Sequence, residues 1–592
     1  MKPDDWLGAI RERESSGDLL AAFDMARRAL AEYPKDTALQ HRSILVLARA
    51  GATEEAVRRF RDWDLQASDD PEVLALGARL AKDRALASSD PETRGTLLAR
   101  AADQYANLHD GNGDPYPAIN AATLWMLAGQ EEKSHLLARE VLRLVDATSA
   151  DSNEDKEAAY YRLATRAEAL LLLDDTEGAR RALEEAATAL PEDFSARATT
   201  RKQLARIIEY RNLSQEALAP LTVPTVAHYS GHLILPAGRE GRFPAEAEDR
   251  VCREICKAID DHDIGYGFGS LGAGADILIA EAILERGGGL HVVLPFREEE
   301  FIEQSVRPSG DAWVERYHRC REQADAVSHA TRDQYLEDDM LFGYCARYSM
   351  GLAMLRSRHL DAPLRQLAVW DGKLPDEPAV AGTAHDILAW QELNLPRTVI
   401  DPGGRGAPGR QSRAGLRENR AFVFGDMKGY GKLTDAEILI FQREVLARMR
   451  DVLDRHAERV ETLNSWGDAI HAVFNHATDA AHFALDLQES ISELDLAALD
   501  LPEHLMLRVG AHYGPAMQLT DPVLDRPTSV GGQVNLAARI EPVAMPGSVY
   551  VSEPFAAMLE LSRDPALAAD YVGTIAAAKE YGSLAMYRLR RG

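Results

Sequence analysis

Three glycine-punctuated stretches in the last third of the chain constrain the fold most, because each fixes where a strand must stop or a helix must start. Phe422-Val423-Phe424 reads as a buried strand that stops at Gly425-Asp426, with Gly429 and Gly431 behind it. A second alternating run, Arg459 to Asn464, breaks at Gly467-Asp468 and resumes from Ala469 to Phe474, the pattern of a hairpin with Asp468 at its turn. The third stretch, Ser529 to Ile540, leaves a glycine turn and enters a helix that carries Asn535 and Arg539 four residues apart, on one face.

Gly-Asp taken singly is ordinary turn chemistry. Two aspartates on neighbouring strand ends are also what magnesium requires when it holds a triphosphate, since the ion prefers hard oxygen donors and takes few protein carboxylates beside phosphate oxygens. Together the three stretches resemble the class III adenylyl/guanylyl cyclase catalytic domain over about residues 418 to 592. In that family the first aspartate opens a D-x-x-G-[F/Y]-x-x-L segment, here Asp426 to Leu433, and the second closes a hairpin ending in Gly-Asp, here Gly467-Asp468. The resemblance implies that Asp426 and Asp468 hold two Mg2+ (or Mn2+) ions. It implies that Asn535 orients the ribose, that Arg539 steadies the α-phosphate as charge grows on it, and that Lys579 meets the leaving pyrophosphate. The resemblance implies base selection at Asn464 and Thr528, where the chain departs from the family's Lys or Glu and Asp or Cys; both residues donate and accept hydrogen bonds, so neither excludes a base. ATP is the default substrate, with guanylyl or pyrimidine nucleotide cyclase as the alternative. A homodimer is implied, the metal aspartates coming from one protomer and Asn535 and Arg539 from the other. The competing class is a domain without turnover that binds nucleotide as a sensor or scaffold.

Elsewhere in this region Thr434 and Glu437 form a capping-box pattern, Ala477 to Leu494 has helical period, and Leu505 to Tyr513 alternates as a strand. His512 within that strand reads as structural, because no second histidine stands at metal spacing.

A formal charge of −27 over 592 residues argues against nucleic-acid binding. No apolar run is long enough to span a membrane, so the expected compartment is the cytoplasm. Four cysteines, Cys252, Cys256, Cys320 and Cys345, form neither a disulfide framework nor a zinc pattern and are expected as free thiols.

Residues 1–225 read as nearly all helix, with Ala and Leu at three- and four-residue spacing. Gly17-Asp18-Leu19-Leu20-Ala21-Ala22 is followed 34 residues later by Gly51-Ala52-Thr53-Glu54-Glu55-Ala56, and related turns occur at Gly129 and Asp174. This period resembles tetratricopeptide repeats, which implies stacked helix pairs with a concave face for a protein or peptide, or a purely structural array.

Residues 226–396 read as a central α/β domain. His232 to Pro236 is expected as a strand, Gly265 to Asp276 as a glycine-rich turn feeding a helix, Leu290 to Pro295 as the next strand, and Leu367 to Trp370 as a fourth, before a helix start at Gly382-Thr383. The loop Gly269-Ser270-Leu271-Gly272-Ala273-Gly274-Ala275-Asp276 and the later segment through Gly382 and Thr383 resemble the SLOG-type Rossmann-like superfamily. That resemblance implies a nucleotide-like ligand at backbone N–H groups; tight helix–strand packing explains glycines equally well. Residues 397–420, rich in Gly, Pro and Arg, read as a linker, and 421–592 as the cyclase-like domain. The expected fold is thus multidomain: an all-α helical repeat, a Rossmann-like α/β domain and an α+β, ferredoxin-like catalytic domain, giving a phosphorus–oxygen lyase in a signalling protein.

Overall fold

Helical spacing of Ala and Leu produces eleven α-helices between Pro3 and Arg211 in the computed structural model, which describes every residue except 89, 149–153, 237, 240, 376–378, 405–412, 414 and 579–581. The recurrent turns of the sequence are helix ends in the left-handed conformation: Gly17, Gly51, Gly129 and Asp174 have φ of +79°, +86°, +76° and +64°. In two of them the following aspartate starts the next helix, Asp18 accepting from the Ala21 N–H at 3.2 Å and Asp175 from the Gly178 N–H at 2.8 Å. Ile119, Val141, Leu171, Leu183 and Ile207 share one buried cluster between the helices. Packing divides the chain into two compact units, Met1–Val223 with Arg358–Ala362, and Pro224–Ser357 with Pro363–Gly592.

The second unit holds two sheets. The first contains β1 (Thr225–Gly231), β2 (Ile264–Gly269), β3 (Gly289–Leu294), β4 (Ala326–His329), β5 (Leu364–Val369) and β6 (Arg397–Ile400), in the order β4-β3-β2-β1-β5-β6, with every pair parallel. Helices connect the strands, as parallel pairing requires. The strand order reverses between β1 and β5, the crevice where such sheets bind ligands.

Several details of this domain differ from the sequence expectation. The strand expected at His232 to Pro236 lies earlier, at Thr225–Gly231; after it Leu233 and Ile234 make only isolated bridges to Gly274 and Phe243. Its polar look is deceptive, since His228 is buried and stacks on Trp390 with ring centroids 5.7 Å apart. The first half of the expected turn Gly265 to Asp276 is strand β2, and its glycines serve close packing. A Cβ on Gly267 would lie 2.5 Å from Ile283 Cδ1, and one on Gly269 2.5 Å from Tyr229 Cε2. An additional strand, β4, precedes the one expected fourth. Within the stretch 397–420 read as a linker, Arg397–Ile400 is the edge strand β6 and Arg417 begins the next sheet, while 405–412 and 414 lie outside the described residues.

The second sheet comprises β7 (Arg417–Lys428), β8 (Val460–Trp466), β9 (Ala469–Phe474), β10 (Met506–Asp521), β11 (Arg526–Val530), β12 (Ser548–Ser552), β13 (Leu567–Ala576) and β14 (Ser583–Arg591). Its order is β13-β14-β12-β10-β7-β9-β8, with β11 paired to β10; among the described residues only β10 and β12 run parallel. The helices Ala477–Ser492 and Glu553–Ser562 pack on this sheet, and the expected capping box of Thr434 and Glu437 opens the helix Asp435–Ile440. Inside the second unit the helix Met340–Leu360 meets Glu553–Ser562 at Gly351, where a Cβ would lie 2.4 Å from the Ala557 carbonyl oxygen. Tyr344 Oη also donates to the Tyr513 carbonyl at 2.9 Å. The four cysteines are free thiols. Among the described residues no helix is long and apolar enough to cross a membrane.

Candidate active site

β7 pairs antiparallel with β10 on one edge and β9 on the other, so it is a central strand, and it carries Asp426 opposite Arg508 in register. The strand continues through Asp426 to Lys428 and does not end at Gly425-Asp426 as the sequence suggests, because β10 supplies partners for its last residues. Asp468 lies where the sequence places it, in the turn between β8 and β9, next to Gly467 at φ +62°. Burial, and then the negative charge of Asp426, raise the Asp468 carboxyl above its usual range. Two carboxylates, one from a strand and one from a hairpin turn, therefore share one electrostatic field.

Two residues that the sequence analysis did not single out complete this cluster. Arg508 Nη2 donates to Asp426 Oδ2 at 2.7 Å, and Arg508 Nε stands 2.9 Å from Glu541 Oε1. Glu541 is half-buried, and burial, opposed by Arg508 and assisted by Asp426 and Asp468, lifts its carboxyl to about 7. Its position depends on Gly510 in β10, where a Cβ would lie 2.4 Å from the Glu541 backbone nitrogen. That close approach lets the end of the helix Gly532–Ile540 rest on the sheet. The signal for Arg508 was present in the alternation of β10, which puts it on the same sheet face as Gly510 and His512.

Asn535 and Arg539 lie on the helix Gly532–Ile540, entered through Gly531 at φ +140°. Asn535 is exposed, whereas Arg539 is half-buried with no hydrogen-bond partner at Nε. Among the described residues no hydrogen bond or ion pair joins either to Asp426 or Asp468. The helix is fixed by His512, buried at 1 % exposure, whose Nε2 donates to Gln533 Oε1 at 2.8 Å while Nδ1 accepts from Ser552 Oγ at 2.7 Å. Burial pushes the His512 imidazole down to about 4, in keeping with a structural role.

Asn464 and Thr528, the positions expected to select the base, are related through Arg526. This residue of β11 donates from Nη2 to Asn464 Oδ1, and Thr528 lies two residues further along the same strand, opposite Leu519. Lys579 lies outside the described residues.

In the α/β domain the loop after β2 is satisfied by the protein itself. The Gly272 N–H donates to Asp276 Oδ2 at 3.1 Å, that of Ala273 to the Ser305 carbonyl at 2.9 Å and that of Ala275 to the His232 carbonyl at 3.3 Å. Gly274, at φ +103°, would bring a Cβ within 2.5 Å of the Ile234 nitrogen. Ser270 Oγ and Asp276 Oδ1 are buried atoms without a partner, and burial raises the Asp276 carboxyl to about 7. Beyond β1 and β5, Arg242 clasps Asp371, whose Oδ1 lies 3.2 Å from His232 Nε2, and Thr383 Oγ1 lies 3.2 Å from His232 Nδ1. Gly382, at φ +101°, precedes Thr383 at the start of the helix Thr383–Glu392.

The carboxylate cluster offers only oxygen donors, which suits a hard divalent cation better than a thiolate- or imidazole-loving one. Among the described residues no three His, Cys, Asp or Glu side chains are grouped as a complete metal cage. A pair of aspartates whose remaining coordination comes from phosphate and water fits magnesium on that count.

Residues 415–589 match the family described as the adenylate and guanylate cyclase catalytic domain, and residues 18–125 match Tetratricopeptide Repeats-Sensor. A curated relative from Rhizobium meliloti (strain 1021), named "Putative adenylate cyclase 3", is 32% identical over 143 residues. That alignment covers 23% of this chain and 22% of the relative, so the chain spans under a quarter of the relative's length. Among solved structures, the guanylate cyclase domain of RhGC from Catenaria anguillulae in complex with GTP is 20% identical, covering 29% of this chain and 97% of that one at a TM-score of 0.26. The adenylyl cyclase CyaB from P. aeruginosa is 18% identical, covering 30% and 95% at a TM-score of 0.27. The chain carries a class III adenylate and guanylate cyclase catalytic domain at residues 415–589 and a Tetratricopeptide Repeats-Sensor domain at residues 18–125.

Proposed function

We propose that residues 421–592 convert ATP into 3′,5′-cyclic AMP and pyrophosphate. The observation that carries this is the shared field of Asp426 and Asp468, one from the central strand and one from the adjoining hairpin turn. Both would hold magnesium or manganese, two ions per site, which when bound neutralise triphosphate charge and lower the pKa of a coordinated hydroxyl. The ribose 3′-hydroxyl gives up its proton to solvent as its oxygen attacks the α-phosphate, and the bond from that phosphorus to the pyrophosphate oxygen breaks. Arg539 opposes the charge that grows on the α-phosphate, where an Nε without a protein partner is available to it. Asn535, exposed four residues earlier, orients the ribose, and Lys579 receives the departing pyrophosphate. Arg508, already paired with a metal-site carboxylate, is near enough to that site to turn toward a phosphate. Asn464 and Thr528 select the base, with ATP favoured because the curated relative is named for adenylate cyclisation.

That no hydrogen bond or ion pair joins the aspartates to Asn535 or Arg539 among the described residues is in keeping with a site completed by a second copy. Asp426→Ala and Arg539→Ala should each lose at least about a hundredfold in magnesium-dependent pyrophosphate release. Mixing the two variants puts both lesions in one site of a heterodimer and leaves the other intact, so activity should return to about a quarter of wild type if subunits exchange at random. A mixture that stays inactive while exchange is demonstrated independently rejects the shared site.

For the α/β domain we propose a nucleotide-like ligand in the crevice between β1 and β5. Its support is the polar group of Arg242, Asp371, His232 and Thr383, together with the partnerless Ser270 and Asp276 atoms at the neighbouring loop.

A further inference from the structure

The helical repeat forms a cavity of about 800 Å³, and several cations on its wall have no close carboxylate partner. Lys82 on the helix Pro71–Ala87 is 8 % exposed, and its Nζ donates to Asn120 Oδ1 at 2.9 Å and Gln203 Oε1 at 3.4 Å, both neutral groups. Arg79, one turn before it, has only Asp83 as an ionic partner, at 3.7 Å, and its Nε makes no hydrogen bond. Arg206 on the helix Phe194–Arg211 hydrogen-bonds Gln203 at 3.3 Å and forms no ion pair among the described residues. Lys202, one turn away on that helix, lines the same cavity, its Nζ donating to backbone carbonyls.

Four cations thus face the cavity; Asp83 is the carboxylate that acts most on Arg79, Lys82 and Arg206, with Glu168 behind it for the last two, and Asp361 acts on Lys202. Glu168 is itself engaged, accepting from Thr123 at 2.6 Å and from Gln203 at 2.8 Å. Burial first, with neighbouring Arg79 and Arg206 adding to it, lowers Lys82 to about 8; burial likewise lowers Lys202 to about 8. A buried cation without a counter-charge destabilises a fold, and natural proteins keep such groups where a ligand needs them.

We infer that this cavity binds a small phosphate-bearing molecule of the nucleotide type, its anionic groups held by Arg79, Lys82, Lys202 and Arg206. The volume falls in the range of small-ligand sites, roughly 300–1,000 Å³. Its remaining wall suits the rest of such a ligand, with the rings of Tyr116 and Tyr161 and the side chains of Leu76 and Ile119 offering flat and apolar contact. A peptide lying along an open groove fits less well. The network from Lys82 through Gln203 to Glu168 ties the helices Pro71–Ala87, Phe194–Arg211 and Lys156–Leu172 together across the cavity floor.

The test uses the full-length chain in EDTA, which silences the cation-dependent C-terminal site, and hydrogen–deuterium exchange to localise binding. The probes are ADP, cyclic AMP, pyrophosphate and, as a phosphate-free polyanion, hexaglutamate. At least one phosphate probe should protect the helices Pro71–Ala87 and Phe194–Arg211, with affinity falling tenfold or more in Lys82→Met and in Arg206→Gln. Without ligand, Lys82→Met should melt no lower than wild type, whereas a purely structural lysine would lower the melting temperature when removed. Arg206→Gln keeps the test decisive should the lysine variant misfold. Protection by hexaglutamate alone, protection that survives both substitutions, or none from any probe overturns the inference.

Discussion

A carboxylate at a β-turn is commonplace; Asp468 is distinguished by its burial and by the company of Asp426, which together make it harder to ionise alone. Sequence motifs singled out both aspartates, Asn535 and Arg539, because the stretches that carry them are punctuated by glycines. Arg508 and Glu541 escaped, since their importance arises only when β10 lies beside β7 and the helix end folds onto Gly510. His512 gives a prediction at this scale. Its folded pKa of about 4 lies below the ordinary 6.5, so the unfolded chain binds the extra proton first as pH falls. The stability tied to its neutral form is complete above pH 6.5 and is lost between about 6.5 and 4, a change of about 3 kcal/mol. Denaturant titrations at several pH values should show this part of the slope vanish in His512→Gln. Identical slopes in the two proteins would contradict the assignment.

At the scale of elements, the helix Gly532–Ile540 is seated by a close approach at Gly510 and by the bonds from His512 to Gln533 and Ser552. Gly510→Ala must push Glu541 and the helix end outward, since 2.4 Å leaves no room for a methyl group. It should cut cyclase activity tenfold or more, because even ~1 Å of misplacement is felt at a reacting centre, while circular dichroism still reports a folded protein. Unchanged activity would show that the helix position is not critical. Hairpin and capping-box signals were legible here because they are local. In the α/β domain, β1 and β2 were misplaced because their polar and glycine residues are justified only by neighbours: Trp390 for His228, and Tyr229 and Ile283 for the glycines of β2. Long-range packing overrode local turn chemistry in both strands.

On the scale of the whole molecule, the order of repeat, α/β and catalytic regions was readable from changes in periodicity and glycine content. Less readable was that the α/β and catalytic regions share one compact unit, because the contact of Gly351 with Ala557 joins residues some two hundred positions apart. The ligand proposed for the α/β domain can be sought in the intact chain by thermal shift against a nucleotide panel. Stabilisation of about 2–3 kcal/mol is expected for a ligand at a hundredfold its Kd. Thr383→Val, which removes the hydroxyl beside His232, should abolish that shift; a shift unaffected by the substitution would place the ligand elsewhere. The most direct test of the cyclase assignment is product identification. The purified chain is incubated with ATP, GTP, CTP and UTP in turn, with magnesium and then manganese, and the products are resolved by mass spectrometry. Cyclic AMP with stoichiometric pyrophosphate, absent from Asp426→Ala, is the predicted result, and no cyclic nucleotide from any of the four substrates would contradict it.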